Sequence, residues 1–228
     1  QFVFRVRDGE RRIRKFAKLL RRAGVHDVVL SFDDQPPLLS DLGDILHYGL
    51  VSAPAHLDLA RRVGRHLGKD QQMWLCGAAY CDAHVGDGTA PYAAPFLSGL
   101  ATLPARVGIV WTVTEPISPS IGADAMRAAR QRVGGREILL YDNFAAIEGG
   151  RDAIAAYLGP LRDRDEHLAD VVSIYMACPL YGPGASRLAL LTAADWLADP
   201  SRYAADESLR RAIDRLAGAD RAAAEALR

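Results

Sequence analysis

The chain alternates short apolar runs with longer segments in which apolar residues recur every three or four positions. The short runs have the length of strands, and most are nearly all apolar, as are parallel strands covered on both faces. The predicted strands are Phe2–Val6, Asp27–Phe32, Gln72–Gly77, Val107–Trp111, Glu137–Tyr141 and Val171–Met176. The predicted helices are Arg11–Ala23, Ala53–Leu67, Pro91–Leu103, Ala123–Val133, Arg151–Leu158, Ser186–Leu197 and Asp206–Leu216.

This alternation predicts an α/β fold of βα repeats around a parallel sheet. Two architectures accept six such units: an open doubly wound sheet, or part of a (β/α)8 TIM barrel. An open sheet usually carries a phosphate-binding glycine fingerprint after a strand, and this sequence has none. In both architectures ligands bind at the carboxyl ends of the strands, so candidate functional residues are sought there.

Charge and composition narrow the possible partners. The chain has 228 residues with 28 basic and 28 acidic side chains. This balance argues against nucleic acid or an anionic membrane as partner, because both attract a clear cationic excess. The basic run Arg11–Arg22 is a local exception, and its apolar spacing predicts an amphipathic helix with a solvated basic face. No run reaches the roughly 18 apolar residues that span a bilayer.

The cysteines indicate neither a disulfide framework nor a metal site. Three cysteines are too few for a disulfide-stabilised fold, and they mildly favour a reducing compartment such as the cytoplasm. Cys76, Cys81 and His84 could be imagined as metal ligands, but their spacing matches no common zinc pattern. We therefore expect no metal and no other cofactor.

Two adjacent carboxylates, Asp33 and Asp34, follow the second predicted strand. Neighbouring side chains in a regular strand point to opposite faces, so both can reach one ligand only where the strand breaks. The segment Gln35–Pro37 supplies that break. Two carboxylates held close cannot both ionise freely, which would give an acid beside a base. The alternative is a helix N-cap with a solvated neighbour.

Polar and aromatic side chains also follow the other predicted strands. Tyr80 follows the third strand, and His84 lies close to it in the same loop. The remaining strand-end residues are Trp111 on the fourth strand, Tyr141 and Asn143 on the fifth, and Cys178 after the sixth.

The stretch Val28–Asp34 resembles the catalytic segment of glycoside hydrolase family 84, the bacterial β-N-acetylglucosaminidases and animal O-GlcNAcases. Further matches occur in the same order over nearly the whole chain. They are Ala79-Tyr80-Cys81, Val110-Trp111-Thr112, Tyr141-Asp142-Asn143, Leu158-Gly159-Pro160 and Leu191–Trp196.

The resemblance implies a (β/α)8 TIM barrel that acts as a retaining exo-β-N-acetylglucosaminidase on an N-acetylglucosamine-bearing glycan or glycoprotein. In that family the 2-acetamido oxygen of the sugar is the nucleophile, and it forms an oxazoline. By position, Asp33 would hold and polarise the acetamido N–H. Asp34 would protonate the leaving oxygen and later activate water, and Tyr80 would donate to the acetamido oxygen.

The resemblance also implies a set of substrate-binding residues. Asn143 would bind near the acetamido group, Tyr141 would form a wall of its pocket, and Trp111 belongs to the same predicted set. Glu148 and Cys178 stand where the family holds sugar hydroxyls. The family usually has tryptophan at position 141, aspartate at 148 and asparagine at 178, so these departures favour altered sugar recognition.

The predicted domains are a partial barrel and a short helical segment. Phe2–Gly9 resembles the third barrel strand and its loop, so the first two βα units are absent from this sequence. We expect residues 1–200 to supply barrel strands 3 to 8 and residues 201–228 to form a C-terminal helical segment. Six strands cannot close an eight-stranded barrel. Either a longer protein or another chain would complete it.

Two other functions stay open on the sequence. The protein could be a non-catalytic glycan-binding homologue, or a hydrolase with altered 2-acetamido sugar specificity. It could also be an unrelated barrel or open α/β enzyme that shares short motifs by chance, because fold alone does not fix function.

Overall fold

The computed structural model describes residues 7–33, 35–86, 90–145, 158–178 and 183–227. The strands in these ranges are β1 Asp27–Ser31, β2 Gln72–Cys76, β3 Val107–Trp111, β4 Ile138–Asp142 and β5 Ile174–Ala177. The α-helices are α1 Arg7–Arg22, α2 Leu42–Tyr48, α3 Ala53–His66, α4 Ala83–Gly86, α5 Ala90–Gly99, α6 Ala123–Arg132, α7 Pro183–Ala198, α8 Ala205–Ala217 and α9 Arg221–Leu227. Short 3-10 helices cover Leu100–Thr102, Glu166–Asp170 and Pro200–Arg202.

The described strands form one sheet in the order β1-β2-β3-β4-β5. Strands β1 to β4 pair in parallel, and where β5 runs beside β4 the Cys178 N–H donates to the Asp142 carbonyl at 2.9 Å. A doubly wound sheet reverses its strand order at a switch point. The order here follows the chain without reversal, which is the order that a barrel requires. The predicted parallel α/β sheet is therefore confirmed. The strand order does not support the alternative of an open doubly wound sheet.

Five of the predicted strands are confirmed. The largest shift is at the start of β5, where Val171 was expected and Ile174 is observed. The predicted strand Phe2–Val6 lies outside the described residues. The strands form because their apolar side chains are covered on both faces, and all five residues of β3 are buried.

Most predicted helices are confirmed, and three short helices were not expected. The predicted helix Arg151–Leu158 lies outside the described residues except for its last residue. Helix α2 was not predicted, and its Leu42 and Leu46 do not pack in the core, since they are 70% and 80% exposed. Its start is set locally, since the Asp41 side chain accepts from the Asp44 N–H at 2.9 Å. Among the described residues no helix is both long and apolar enough to cross a membrane.

A close approach of side chain to backbone fixes the spacing of β2 and β3. Gly108 of β3 pairs with Trp74 of β2, and a Cβ at position 108 would overlap the indole ring. The same indole donates through Nε1 to Asp27 Oδ1 at 2.8 Å, which ties it to β1. A glycine at this position therefore lets the large Trp74 side chain lie flat within the core.

The chain divides into two compact units, and the division falls within α6 and β4. The first unit comprises Gln1–Pro116 and Arg127–Leu140. The second comprises Ile117–Met126 and Tyr141–Arg228. Within the first unit, α1 and α5 both pack against α3.

The second unit has its own apolar cluster. Leu188 of α7 packs against Ala212 and Ile213 of α8, and all three side chains are buried. The segment before α7 is attached to this helix pair by polar contacts: Thr192 Oγ1 accepts from the Leu161 N–H at 3.0 Å, and the Tyr203 hydroxyl donates to the Leu161 carbonyl at 2.7 Å.

Candidate active site

The carboxyl end of β1 leads directly into the predicted catalytic aspartates. The Phe32 N–H donates to the Cys76 carbonyl at 2.9 Å, and the Gln35 N–H donates to the Phe32 carbonyl at 3.1 Å. The chain therefore turns immediately after the strand, as the sequence predicts. Ser31 Oγ donates to Asp33 Oδ1 at 3.0 Å, which orients the half-buried carboxylate in this turn. Asp34 lies outside the described residues.

Asp33 is not a helix N-cap, so that alternative is wrong. The next helix, α2, begins at Leu42, and its N-cap is Asp41. Among the described residues Asp33 accepts a hydrogen bond from Ser31 alone. A carboxylate offers about four acceptor sites, so most of the hydrogen-bonding capacity of Asp33 is available to a ligand.

A buried aromatic cluster holds the residue that precedes Asp33. The ring of Phe32 stacks on the imidazole of His56 with 3.9 Å between ring centroids, and His56 Nδ1 lies 2.9 Å from the Tyr92 hydroxyl. Burial lowers the pKa of His56 to about 4, so its ring is neutral near pH 7. Burial likewise raises the pKa of Tyr92. Phe32 is therefore held by its stacking on His56, which limits the movement of the turn that follows it.

Tyr80 lies in the loop that follows the carboxyl end of β2, the strand that pairs with β1. Its carbonyl accepts from the Thr112 N–H at 2.9 Å, which ties the loop to the end of β3. Its half-buried ring meets the imidazole of His84 edge-on, with 4.6 Å between ring centroids. The structure thus places His84 beside Tyr80, as their spacing in the loop predicts.

Trp111, at the carboxyl end of β3, is 0% exposed. Its indole Nε1 donates to Asp82 Oδ1 at 3.3 Å, and the same oxygen lies 3.3 Å from Arg132 Nε. Direct contact with a ligand stays a prediction for this residue. Its burial favours a supporting role, in which the indole holds the loop that carries Asp82.

Two of the predicted substrate-binding residues touch each other. Tyr141 lies near the end of β4, and Cys178 directly follows β5. The Tyr141 hydroxyl donates to Cys178 Sγ at 3.1 Å. Both side chains are half-buried, whereas Asn143 is buried with 9% exposure. The predicted residues of β4 and β5 therefore lie at neighbouring strand ends. Glu148 lies outside the described residues.

Between Tyr141 and Asn143, the carboxylate of Asp142 forms a buried ion pair with Arg164. Arg164 Nη2 lies 2.7 Å from Asp142 Oδ1, and the Tyr175 hydroxyl donates to Oδ2 at 2.7 Å. Burial alone would lower the pKa of Arg164, but hydrogen bonds and charge from Asp142 outweigh it and raise that pKa. Burial and the charge of Asp142 raise the pKa of Tyr175. The arginine thus stays charged and the phenol stays protonated.

The predicted site residues fall into two groups, one in each compact unit. In the first unit Asp33, Tyr80 and Trp111 lie at the ends of three strands that neighbour one another. In the second unit Tyr141, Asn143 and Cys178 lie at the ends of β4 and β5. Within the described ranges no group of three histidine, cysteine or acidic side chains could hold a metal ion.

The family model for β-N-acetylglucosaminidases matches residues 2–228. The chain belongs to this family. The predicted resemblance to glycoside hydrolase family 84 is thereby confirmed, and so is the predicted membership of a glycoside hydrolase family.

Two solved structures are similar to this chain in fold. A mutant of the O-GlcNAc hydrolase of Thermobaculum terrenum superposes with a TM-score of 0.80 at 27% identity, and the match covers 96% of this chain and 46% of that one. The protein CpGH84B superposes with a TM-score of 0.73 at 20% identity, covering 96% of this chain and 37% of that one, and shows the fold alone. The chain thus spans less than half the length of these structures.

In this member of the β-N-acetylglucosaminidase family, two residues that contact Asp142 were not predicted from the sequence. Arg164 and Tyr175 lie 22 and 33 positions beyond Asp142, in segments without a motif. The one signal in the sequence is Asp142 itself, a charged residue at the end of an apolar strand, since a buried carboxylate requires partners. That signal does not say which residues supply them.

Proposed function

We propose that this protein is a retaining exo-β-N-acetylglucosaminidase that removes terminal N-acetylglucosamine from a glycan or glycoprotein. The observation that carries this function is the position of Asp33 and Tyr80 at the ends of adjacent parallel strands, where such folds bind ligands. Membership of the β-N-acetylglucosaminidase family supports the same sugar. The likeness to an O-GlcNAc hydrolase supports a protein-linked substrate.

We further propose that the parallel sheet belongs to a (β/α)8 barrel. Residues 1–200 would supply strands 3 to 8, and residues 201–228 would form the helical segment that follows. The unreversed strand order of the described sheet supports this assignment.

In the first step the acetamido oxygen of the sugar attacks C1, and the bond from C1 to the leaving oxygen breaks as Asp34 gives that oxygen its proton. Asp33 accepts from the acetamido N–H, which increases electron density on the attacking oxygen. The Tyr80 hydroxyl donates to the acetamido oxygen and holds it in line. The products of this step are the free aglycone and an enzyme-bound oxazoline, which stays protonated on nitrogen and hydrogen-bonded through that N–H to the Asp33 carboxylate.

In the second step a water molecule attacks C1 from the face that the aglycone left. Asp34, now a carboxylate, takes the proton of that water, and the oxazoline opens to restore the acetamide. Two inversions at C1 give net retention, and no enzyme carboxylate bonds to the sugar. Asp34 must start protonated while Asp33 is ionised, so the two carboxyls need different pKa values.

The remaining residues would bind the sugar. Asn143 would hold the acetamido and acid/base region, and the ring of Tyr141 would exclude water from the acetamide methyl. Glu148 and Cys178 would face sugar hydroxyls. Trp111 would support the site without contacting the sugar, by holding the loop that carries Asp82.

The test measures hydrolysis of chromogenic N-acetylglucosaminides by the purified protein and its variants. Asp33→Asn and Asp34→Asn should each lower kcat/KM by about 100-fold or more. The loss in Asp34→Asn should shrink with a better leaving group, which needs less protonation. Adding fluorine to the N-acyl group should slow the wild type, because it weakens the acetamido nucleophile.

Asp170→Asn is the matched control, because Asp170 is an exposed aspartate outside the proposed site. Its activity should equal that of the wild type. Unchanged activity in Asp34→Asn, or a rate that does not respond to N-acyl fluorination, would overturn the mechanism.

A second function is favoured by the contact between Tyr141 and Cys178. The hydroxyl of one and the thiol of the other are directed at each other, and a thiol is a poor hydrogen-bonding group for a sugar hydroxyl. This arrangement fits a glycan-binding homologue, or an enzyme for a different 2-acetamido sugar. Calorimetry with an oxazoline-mimicking inhibitor separates these functions. Tight binding without turnover supports the binding protein, and absence of binding removes both functions.

A further inference from the structure

The carboxylate of Asp142 is fully occupied by hydrogen-bond donors. Oδ1 accepts from Arg164 Nη2 at 2.7 Å and from the Phe144 N–H at 3.1 Å. Oδ2 accepts from Arg164 Nε at 2.8 Å and from the Tyr175 hydroxyl at 2.7 Å. Four donors meet the roughly four acceptor sites of a carboxylate, so Asp142 has no capacity left for a ligand.

Arg164 is equally saturated. Besides its two bonds to Asp142, its Nη1 donates to the carbonyls of Pro119 and Arg162, each at 2.8 Å, and its Nη2 donates to the Ser118 carbonyl at 3.1 Å. A guanidinium has five N–H donors, and all five are used. The side chains of Arg164 and Asp142 are 3% and 1% exposed. The pair thus joins the end of β4 to two loops and is closed to solvent.

This saturated network is centred on the residue between two predicted sugar-binding residues, Tyr141 in β4 and Asn143 directly after it. Successive strand side chains point to opposite faces, so Tyr141 and Asp142 project in opposite directions. The bond from the Phe144 N–H to Asp142 closes the turn that contains Asn143. Holding the Asp142 carboxylate therefore also fixes the backbone that carries Tyr141 and Asn143.

We propose that Arg164 and Tyr175 are positioning residues. They hold the Asp142 carboxylate and so fix the positions from which Tyr141 and Asn143 would contact the acetamido sugar. The inference rests on the proposed function for its substrate. Neither residue would donate to the sugar, because the five N–H groups of Arg164 and the O–H of Tyr175 all donate within the protein. Their contribution is to the precision of the site, and small displacements of binding groups cost large factors in rate.

The chain offers a matched pair of variants. Tyr175→Phe removes only the hydroxyl that donates to Asp142, and the ring keeps its packing 5.3 Å from Trp196. Tyr203→Phe removes a hydroxyl that donates at the same 2.7 Å to the Leu161 carbonyl and not to Asp142. Both hydroxyls are partly buried, but Tyr175 donates to a carboxylate and Tyr203 to a neutral carbonyl, so Tyr175→Phe should lose at least as much stability as Tyr203→Phe.

The first measurement is the affinity of each variant for an oxazoline-mimicking inhibitor, together with its Tm. Tyr175→Phe should bind the inhibitor about ten-fold more weakly than the wild type, with a matching loss in kcat/KM. Tyr203→Phe should match the wild type in affinity although its Tm also falls. A purely structural role for Tyr175 would move both Tm values and neither affinity.

The second measurement is amide hydrogen exchange at Phe144, which requires no activity. Exchange at this amide should be about ten-fold faster in Tyr175→Phe and unchanged in Tyr203→Phe, because only the first loosens the acceptor. Arg164→Lys should accelerate it further, since lysine cannot make the paired bond to Asp142.

The outcomes separate this inference from the proposed function. A wild type that neither binds nor hydrolyses acetamido sugars overturns the function, while exchange at Phe144 still decides whether Tyr175 holds the strand end. An active wild type in which Tyr175→Phe and Tyr203→Phe behave alike in affinity and in exchange overturns the positioning role.

Discussion

His56 is a buried histidine that is neutral in the folded protein and links its stability to pH. Burial lowers its pKa from 6.5 to about 4, so between these values the unfolded chain binds a proton that the folded chain does not. The stabilising contribution of His56 is therefore complete above pH 6.5 and is lost as pH falls toward 4. The loss should reach about 3 kcal/mol, and urea unfolding across this range measures it.

The His56→Gln variant should show a weaker pH dependence over the same range, because glutamine does not titrate. His26→Gln is the control, since it makes the same substitution at an exposed histidine. Equal slopes for the wild type and His56→Gln would contradict the prediction. This role could not be predicted from sequence, because the partner Tyr92 lies 36 positions away and meets His56 only in the folded chain.

Strand β3 depends on a glycine for its packing, and a helix offers the matched comparison. A Cβ at Gly108 would overlap the Trp74 ring and lie 3.2 Å from the Glu137 carbonyl, so Gly108→Ala should cost about 1 to 3 kcal/mol. A Cβ at Gly64 in α3 would have no described atom within 4 Å beyond its own helix backbone and chain neighbours. Gly64→Ala should therefore add up to about 1 kcal/mol. Urea unfolding measures both changes, and effects of the same sign would contradict this explanation.

Elements were predictable where burial covers a whole strand or one full face of a helix. Strand β3 was located to the residue because its five positions are all buried. Helix α2 was not predicted, since a side-chain cap at Asp41 starts it and its leucines face solvent. Local capping leaves a weaker mark on sequence than apolar periodicity does.

At the scale of the whole molecule, the residues at the strand ends were predictable from the sequence, but the buried residues that hold them in place were not. Parallel strands all finish at one edge of a sheet, so the positions of Asp33 and Tyr80 followed from the βα alternation and the family resemblance. The partners of Asp142 did not follow, because Arg164 and Tyr175 reach it from distant segments. A sequence shows that a buried charge needs a partner, and the fold decides which one it meets.

Helix α1 leaves two large apolar side chains at the surface of the described protein, Phe16 at 59% and Leu19 at 60% exposure. By contrast, Ala17 on the same helix is 3% exposed. Replacing both exposed residues with glutamine removes no packing, so Tm should change by less than about 2 °C. Self-association measured by sedimentation velocity should fall, because contiguous apolar surface drives association.

Ala17→Gln is the opposite case on the same helix. It forces a longer polar side chain into a buried position, so its Tm should fall by at least about 4 °C. If the double variant at Phe16 and Leu19 lost as much Tm as Ala17→Gln, both side chains would be packed in solution, as the amphipathic spacing of α1 predicts. If it kept its Tm while self-association fell, Phe16 and Leu19 would contribute to contacts between molecules and not to the stability of the fold.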